Sequence, residues 1–411
     1  MSLRTALFWL HLVSGVIAGA VILLMSVTGV ALTYERQMIA WADGAYGPVP
    51  STPDSRRLPV ADLIDLARRV EGSGTPSTLT VRHDAAAPVV VGFGRDRALF
   101  VDPYTGAVLG EGSVRTRAFF SALRSWHRWL AAEGDSRWIG RAITGACNLA
   151  FLVLVLTGPV LWWPRKLSWR HVRAGLAFSS GLRGRARDFN WHTVIGIWTT
   201  IPLLLIVASG VMISYPWASN LVYRVAGEEP PRRGGPPGGG GDTRPAENPP
   251  PVVWAGLDAL LARAEGQLDD WRTITMQVPP GDAPVRFTID QGTGGEPHKR
   301  HELVLDRSSS GTLQWIPASS RSAGQRLRSF LRFAHTGEVA GLVGQTVAGL
   351  VSAGAVVMVW TGLALAWRRG VRWVRTPGRG PAQRAVHGAP ASHPTPTHAA
   401  SQGQSFAGES R

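Results

Sequence analysis

Four histidines form two pairs at matching places in the sequence. His11 and His192 lie in apolar segments that align without gaps, FWLHLVSGVIAGAVILLMSVTGV and FNWHTVIGIWTTIPLLLIVASGV, while His127 ends LRSWH and His335 ends LRFAH just before two further apolar segments. A lone histidine in a membrane helix often only packs, but an ionisable group there is a functional candidate. Two imidazoles that face each other across a bundle can supply both axial nitrogens of one haem iron. The two pairs therefore predict four metal ligands and two haem b groups.

Small residues share the helix face of the first two histidines. In both aligned segments a glycine follows the histidine after 18 residues, which is five turns and about 27 Å of helix. Another glycine follows each histidine after four residues. We expect these positions to border the haems, Gly15 and Gly196 at the inner one, Gly29 and Gly210 at the outer one. The alternative is that these glycines only allow close contact between helices.

Four stretches of the sequence contain no Asp, Glu, Lys or Arg, and each either contains one of these histidines or begins a short distance after one. They are Thr5–Tyr34, Ala142–Pro164, Phe189–Tyr223 and Val339–Trp367. Each is longer than the roughly 20 residues that cross a bilayer core. Only 17% of the residues are charged, against about 25% in soluble domains. The sequence therefore predicts a protein that spans a membrane four times.

The basic residues predict how the spans are oriented. The formal charge is +15, but no base-reading motif is present, so we expect no nucleic-acid partner. The short connection between spans two and three carries one acidic residue, Asp188, and seven basic ones: Arg165, Lys166, Arg170, Arg173, Arg183, Arg185 and Arg187. The positive-inside rule places this loop and both termini in the cytoplasm. A second interpretation is that the loop docks an acidic electron donor.

The two long connections have similar patterns. Residues 59–71 have apolar positions at helical spacing and precede the strand-like PVVVGF, RALFVD and AVLG; residues 252–268 precede VRFTID, HELVLD and TLQWI. Each connection predicts a helix packed on a small antiparallel sheet. The single cysteine, Cys147, excludes an internal disulfide, a four-thiolate metal site and c-type haem attachment.

The spans also repeat. Span three matches span one at an offset of 181 residues (His11 to His192), and span four matches span two at an offset of 204 (Thr157 to Thr361). The predicted fold class is therefore a membrane all-α four-helix domain made from a duplicated two-helix unit, with two small α+β extracytoplasmic units.

Together, the duplicated helices with their histidines, the HTGEVAGLVGQ stretch from His335, the LTGPVLWWPRK end of span two and the DPYTGAVLG turn resemble the PepSY-associated transmembrane helix family. The similarity is greatest to its iron-regulated inner-membrane proteins and ferric-siderophore reductases. This resemblance implies a bacterial inner-membrane protein with two PepSY-like outer units and two haems b, which reduces a ferric siderophore. By motif position, His11, His127, His192 and His335 would be the ligands.

The resemblance and the spans together predict an order of segments. The order is span one (1–41), a PepSY-like unit (42–120), an outer histidine segment with span two (121–164), the basic loop (165–188), span three (189–217), a second PepSY-like unit (218–330) with a Gly/Pro linker (228–251), an outer histidine segment with span four (331–370) and a disordered cytoplasmic tail (371–411).

The sequence contains no dinucleotide or flavin motif, so a cytoplasmic reductase or a quinol must supply the electrons. One-electron reduction needs no acid–base group, and we assign no catalytic residue. Three other functions stay open: a sensor or peptidase-regulating module without redox activity, a di-haem reductase of copper, a quinone or a periplasmic protein, and a transporter. The parallel repeats and the lack of carboxylates in the spans disfavour transport.

Overall fold

Four long helices form the membrane-competent part of the chain. The computed structural model describes residues 2–44, 48–49, 55–72, 74–94, 97–164, 168–231, 256–277 and 283–375. Within this part, four helices are long and apolar enough to cross a membrane: α1 (Leu3–Leu32), α5 (Arg137–Trp162), α7 (Gly184–Ser214) and α11 (Gly341–Arg375). The four predicted spans are confirmed as helices. The predicted tail beyond residue 375 and most of the Gly/Pro linker, from residue 232, lie outside the described residues.

The outer surface of these helices is apolar. Ile17, Ile201 and Leu350 are 78%, 82% and 68% exposed, although a water-soluble surface seldom shows large apolar patches. Between the helices, side chains such as Leu203 and Val351 form a buried cluster. The helices are therefore apolar on both the packed and the outward sides, as expected for a protein in lipid.

The third membrane helix ends earlier than the charge-free stretch Phe189–Tyr223 predicts. Helix α7 stops at Ser214, and a separate helix, α8 (Pro216–Val225), begins at the proline. The ring of Pro216 disfavours helical backbone in the preceding residue, and Tyr215 is extended, with φ −120° and ψ 125°. A charge-free run therefore overestimated the length of this span.

Two amphipathic helices carry the outer histidines: α4 (Val114–Trp129) and α10 (Ala323–Thr336). A capping box between Ser322 and Gln325 begins α10. The helix ends at Gly337, where φ is +77° and a Cβ would lie 2.3 Å from the Gly344 carbonyl oxygen. Only glycine fits such a backbone. The chain therefore turns sharply between α10 and α11.

Two more short helices flank the membrane helices. Helix α2 (Glu35–Asp43) follows α1, and α6 (Trp169–Leu176) lies in the basic loop. The Trp162 indole donates to the Gly175 carbonyl at 3.1 Å, and the Trp198 indole donates to the Leu176 carbonyl at 2.9 Å. The described part of the basic loop is thus bound to the end of α5 and to the middle of α7. Residues 165–167 of the predicted loop lie outside the described residues.

The two long connections share one antiparallel sheet. The strands are β1 (Thr78–Arg82), β2 (Val89–Phe93), β3 (Arg97–Val101), β4 (Val108–Glu111), β5 (Thr273–Gln277), β6 (Val285–Asp290), β7 (Arg300–Leu305) and β8 (Thr312–Ile316). Their order is β4-β3-β2-β1-β5-β6-β7-β8. The expectation of two small separate sheets is thus replaced by a continuous eight-stranded sheet.

The central pair of strands joins the two halves. Strands β1 and β5 are antiparallel with Thr80 opposite Thr275, and the two hydroxyl oxygens lie 3.0 Å apart. On the other face, Leu79 and Met276 are buried beneath α3 (Val60–Glu71) and α9 (Leu257–Glu265), which close one shared core. The sheet therefore has one apolar face and one polar face, because successive side chains alternate.

Candidate cofactor-binding site

The inner histidines face each other across two membrane helices. His11 lies on α1 and His192 on α7, and their ring centres are 6.4 Å apart with planes at 82°. Both side chains are half-buried. The matching positions in the two aligned segments therefore come together in space.

Both inner rings are held through Nδ1. The Nδ1 atom of His192 lies 2.9 Å from the Met358 carbonyl and 3.3 Å from the Thr361 hydroxyl, and Nδ1 of His11 lies 2.8 Å from the Thr157 hydroxyl. A carbonyl can only accept, so His192 carries its proton on Nδ1. The Thr157 hydroxyl lies 2.7 Å from the Val153 carbonyl, which can take its hydrogen, and this leaves the hydroxyl oxygen placed to accept from His11. Each inner ring therefore presents a lone pair on Nε2.

The outer histidines form a second pair of the same kind. His127 on α4 and His335 on α10 have ring centres 6.3 Å apart, with planes at 65°. Helix α4 packs on α1, and α10 packs on α7. Both short helices thus place an imidazole against a membrane helix.

The outer rings are held by the same chemistry. The Nδ1 atom of His335 lies 2.9 Å from the Ile206 carbonyl and 3.2 Å from the Ser209 hydroxyl. The Nδ1 atom of His127 lies 2.9 Å from the Thr28 hydroxyl, which donates to the Leu24 carbonyl at 2.8 Å. Both outer rings therefore also carry the proton on Nδ1.

The Nε2 atoms are free to bind a ligand. None of the four forms a hydrogen bond within the described ranges. Each nevertheless keeps some accessible surface, so none is a buried polar atom that lacks a partner. Edge-to-face packing alone allows ring centres about 4.5–7 Å apart. Packing does not explain why all four rings use Nδ1 for the protein and leave Nε2 open.

The ring separations fit two imidazoles that share one metal ion. A metal–imidazole bond is about 2.0–2.1 Å, and the ring centre lies about 1.1 Å behind the bound nitrogen, which places two opposed ring centres about 6.3 Å apart. The observed separations are 6.4 and 6.3 Å. The two imidazoles of each pair are therefore spaced so that they would hold one iron between them.

The predicted glycines divide into two groups. A Cβ on Gly29 would lie 3.6 Å from Cε1 of His127, and one on Gly210 would lie 3.3 Å from Cε1 of His335. These two glycines border the outer rings. A Cβ on Gly15 would instead meet Leu154, at 3.8 Å.

On the third membrane helix, a Cβ at Gly196 would meet the Met358 sulfur at 3.4 Å. Neither Gly15 nor Gly196 therefore touches an inner histidine. The glycine beside the inner pair is Gly362, where a Cβ would lie 3.2 Å from Cε1 of His192. Gly362 was not among the residues predicted for the site.

The hydroxyl groups that hold the rings were also absent from the site predicted from the sequence. They are Thr28, Thr157, Ser209 and Thr361. A signal was present, because Thr28 and Ser209 are separated by the same 181 residues as His11 and His192, and Thr157 and Thr361 by 204. Matched hydroxyls at the repeat offsets could have been proposed as partners of the histidines.

Comparison with known proteins agrees with this architecture. The curated proteins include no match to this chain. The family model described as the PepSY-associated TM region matches residues 8–369, which include all four histidines. The chain is therefore a membrane protein of the PepSY-associated transmembrane family.

Proposed function

We propose that this protein binds two haem b groups, one between His11 and His192 and one between His127 and His335. It would pass electrons outward through the membrane to an iron(III) chelate, most simply a ferric siderophore. One observation carries this proposal. In both pairs, Nδ1 is bound to the protein while Nε2 is open, at ring separations of 6.4 and 6.3 Å.

The number of ligands favours a porphyrin-bound metal over a bare ion. Zinc sites in proteins use three or four side-chain ligands. Within the described residues, no group of three or more His, Cys, Asp or Glu side chains could hold a metal ion. Iron in a porphyrin needs only two axial ligands, which is what each histidine pair offers.

The two pairs are spaced along the membrane helices. Thr28, which contacts His127, follows His11 by 17 residues on α1, and Ser209, which contacts His335, follows His192 by 17 residues on α7. This is about 26 Å of helix, close to the roughly 30 Å of a hydrocarbon core. When bound, haem supplies one-electron transfer, its iron alternating between iron(II) and iron(III) as one external iron(III) is reduced per electron.

The protein's own groups orient the ligands and exclude water. The Thr157 hydroxyl and the Met358 carbonyl keep the inner Nδ1 protons in place, which fixes the rings and leaves Nε2 unprotonated. Apolar side chains such as Val207 and Val351 fill the space between helices. No residue has to move a proton in this reaction.

The proposal includes the topology. Both termini would lie in the cytoplasm of a bacterium, and the eight-stranded sheet would lie outside the inner membrane, since the basic loop is short and the outer connections are long. Each half of the chain would be one copy of a two-helix unit with a PepSY-type half-sheet. A cytoplasmic reductase or a quinol would supply electrons to the inner haem.

The test is the haem content of the purified protein and its activity in vesicles. We expect a Soret band and about two haems b per chain by the pyridine haemochrome assay. Reduced protein in sealed vesicles should reduce an external ferric siderophore, and copper(II), a quinone and an oxidised periplasmic protein serve as competing acceptors. Protein without a Soret band would refute the proposal and favour a sensor or peptidase-regulating module.

A further inference from the structure

A polar cavity of about 660 Å³ lies between α2 and the polar face of the sheet. Its walls include four arginines, Arg36, Arg82, Arg272 and Arg300, together with hydroxyls such as that of Thr275. The volume is within the range of small-molecule sites, about 300–1,000 Å³. The cavity therefore suits a small hydrophilic ligand.

Two of the four arginines are neutralised by the protein. Arg300 pairs with Asp290 at 3.3 Å, and Arg36 pairs with Glu338 at 2.9 Å. The other acidic residue of the wall, Asp84, accepts from the Ala86 amide at 2.9 Å. Of the two acidic residues that line the cavity, Asp290 is therefore paired and Asp84 keeps its negative charge.

The other two arginines keep their charge. Within the part of the chain that the structure describes, neither Arg82 nor Arg272 forms an ion pair. They are close in space, because Arg82 lies opposite Thr273 at the seam of the sheet and the His83 amide donates to the Arg272 carbonyl at 3.0 Å. Two arginines without an ion pair on one cavity wall favour a ligand with negative charge.

A wall residue of the cavity contacts the segment that follows an outer histidine. Arg36 contacts Glu338, three residues after His335, and donates to the Thr293 carbonyl in the cavity wall. A ligand in the cavity would therefore lie beside the segment that carries the outer histidine.

We infer that this cavity binds an anionic iron(III) chelate with free carboxylates, held by Arg82 and Arg272. The inference rests on the proposed function and adds to it the class of substrate. Carboxylates suit the planar fork of arginine, which gives two parallel hydrogen bonds per group. An uncharged trihydroxamate chelate would lack these partners.

Gallium(III) citrate tests this binding without electron transfer, because gallium(III) resembles iron(III) in charge but is not reduced. Calorimetry with the full-length holoprotein in a non-ionic detergent measures its Kd. We expect R82Q/R272Q to raise the Kd roughly tenfold or more. The control R68Q/R69Q removes two exposed arginines of α3 that do not line the cavity, and should change the Kd less than about twofold.

An equal Kd in the wild type and R82Q/R272Q would overturn the inference. Equal binding of a gallium(III) trihydroxamate would also overturn it. The haem content of every variant is measured in the same samples, and we expect it to be unchanged. If citrate binding depends on the two arginines in protein that has no haem, the proposed redox function fails while the anion site is retained.

Discussion

Replacement of Thr157 by valine tests how the inner pair is held. The Thr157 hydroxyl is the hydrogen-bond acceptor that the structure provides for Nδ1 of His11, at 2.8 Å. Valine has nearly the same shape but cannot accept, so the Nδ1 hydrogen loses its partner. An unpaired buried donor costs about 1–3 kcal/mol. Loss of such a partner typically weakens metal binding about 10–100-fold, and a shift of the proton to Nε2 would block the ligand position outright.

The equivalent change beside His192, Thr361→Val, should weaken haem binding less. His192 bonds to the Met358 carbonyl at 2.9 Å as well as to the Thr361 hydroxyl at 3.3 Å. T361V removes the longer bond only, so we expect a loss of about 0.5–1.5 kcal/mol. The two threonines occupy equivalent positions in the repeat, and the structure predicts unequal effects.

T193V is the matched control. Thr193 adjoins His192 on α7, and its hydroxyl donates to the Phe189 carbonyl at 2.8 Å without touching a histidine. Haem retention after dilution, followed by the Soret band, should decrease most for T157V, less for T361V and not for T193V. Equal retention in all three variants would refute the role of Nδ1 hydrogen bonding.

Three further predictions concern the outer histidine pair and the sheet. G210L should remove the outer haem and keep the inner one, because a Cβ at this position would lie 3.3 Å from Cε1 of His335 and 2.8 Å from the Asn148 amide nitrogen. Two haems per chain by the pyridine haemochrome assay would contradict this. M276A should destabilise the sheet by about 2–5 kcal/mol, because this side chain is fully buried; thermal unfolding measures the loss, and an unchanged midpoint would refute it. Burial and nearby Arg321 lower the pKa of His301, and its neutral ring accepts a hydrogen bond from the Ala318 amide. The neutral ring should therefore stabilise the sheet above about pH 6.5, the ordinary pKa of histidine. This stabilisation should be lost as the pH falls and the ring is protonated. H301Q should then reduce the change in the thermal unfolding midpoint between pH 7.5 and pH 5. An equal pH dependence of the midpoint in the wild type and the variant would contradict this role.

Much of the membrane part could be predicted because its signals are local. The absence of charge identifies the four spans, and the alignment of the repeats places His11 opposite His192 before any coordinates are known. The end of α7 required proline chemistry, since Phe189–Tyr223 is uncharged throughout but the backbone breaks before Pro216.

The sheet and the hydroxyl partners depend on contacts between distant residues. Strands β1 and β5 were not predicted, although they lie at the centre of the sheet. Their short threonine-rich sequences become strands by pairing with each other across almost 200 residues, as Thr80 does with Thr275. Similarly, the repeat offset marks Thr28 as a candidate partner of a histidine, but the contact between its hydroxyl and His127, 99 residues away, is seen only in the folded chain.

The central claim is that each haem is shared by two named histidines, and the haem content of double variants tests it most directly. H11A, H192A and H11A/H192A should each lose the same low-spin haem and keep about one per chain. H11A/H127A should lose both, because it removes one ligand from each pair. The account is contradicted if H11A/H192A loses more low-spin haem than either single variant, or if H11A/H127A still contains one.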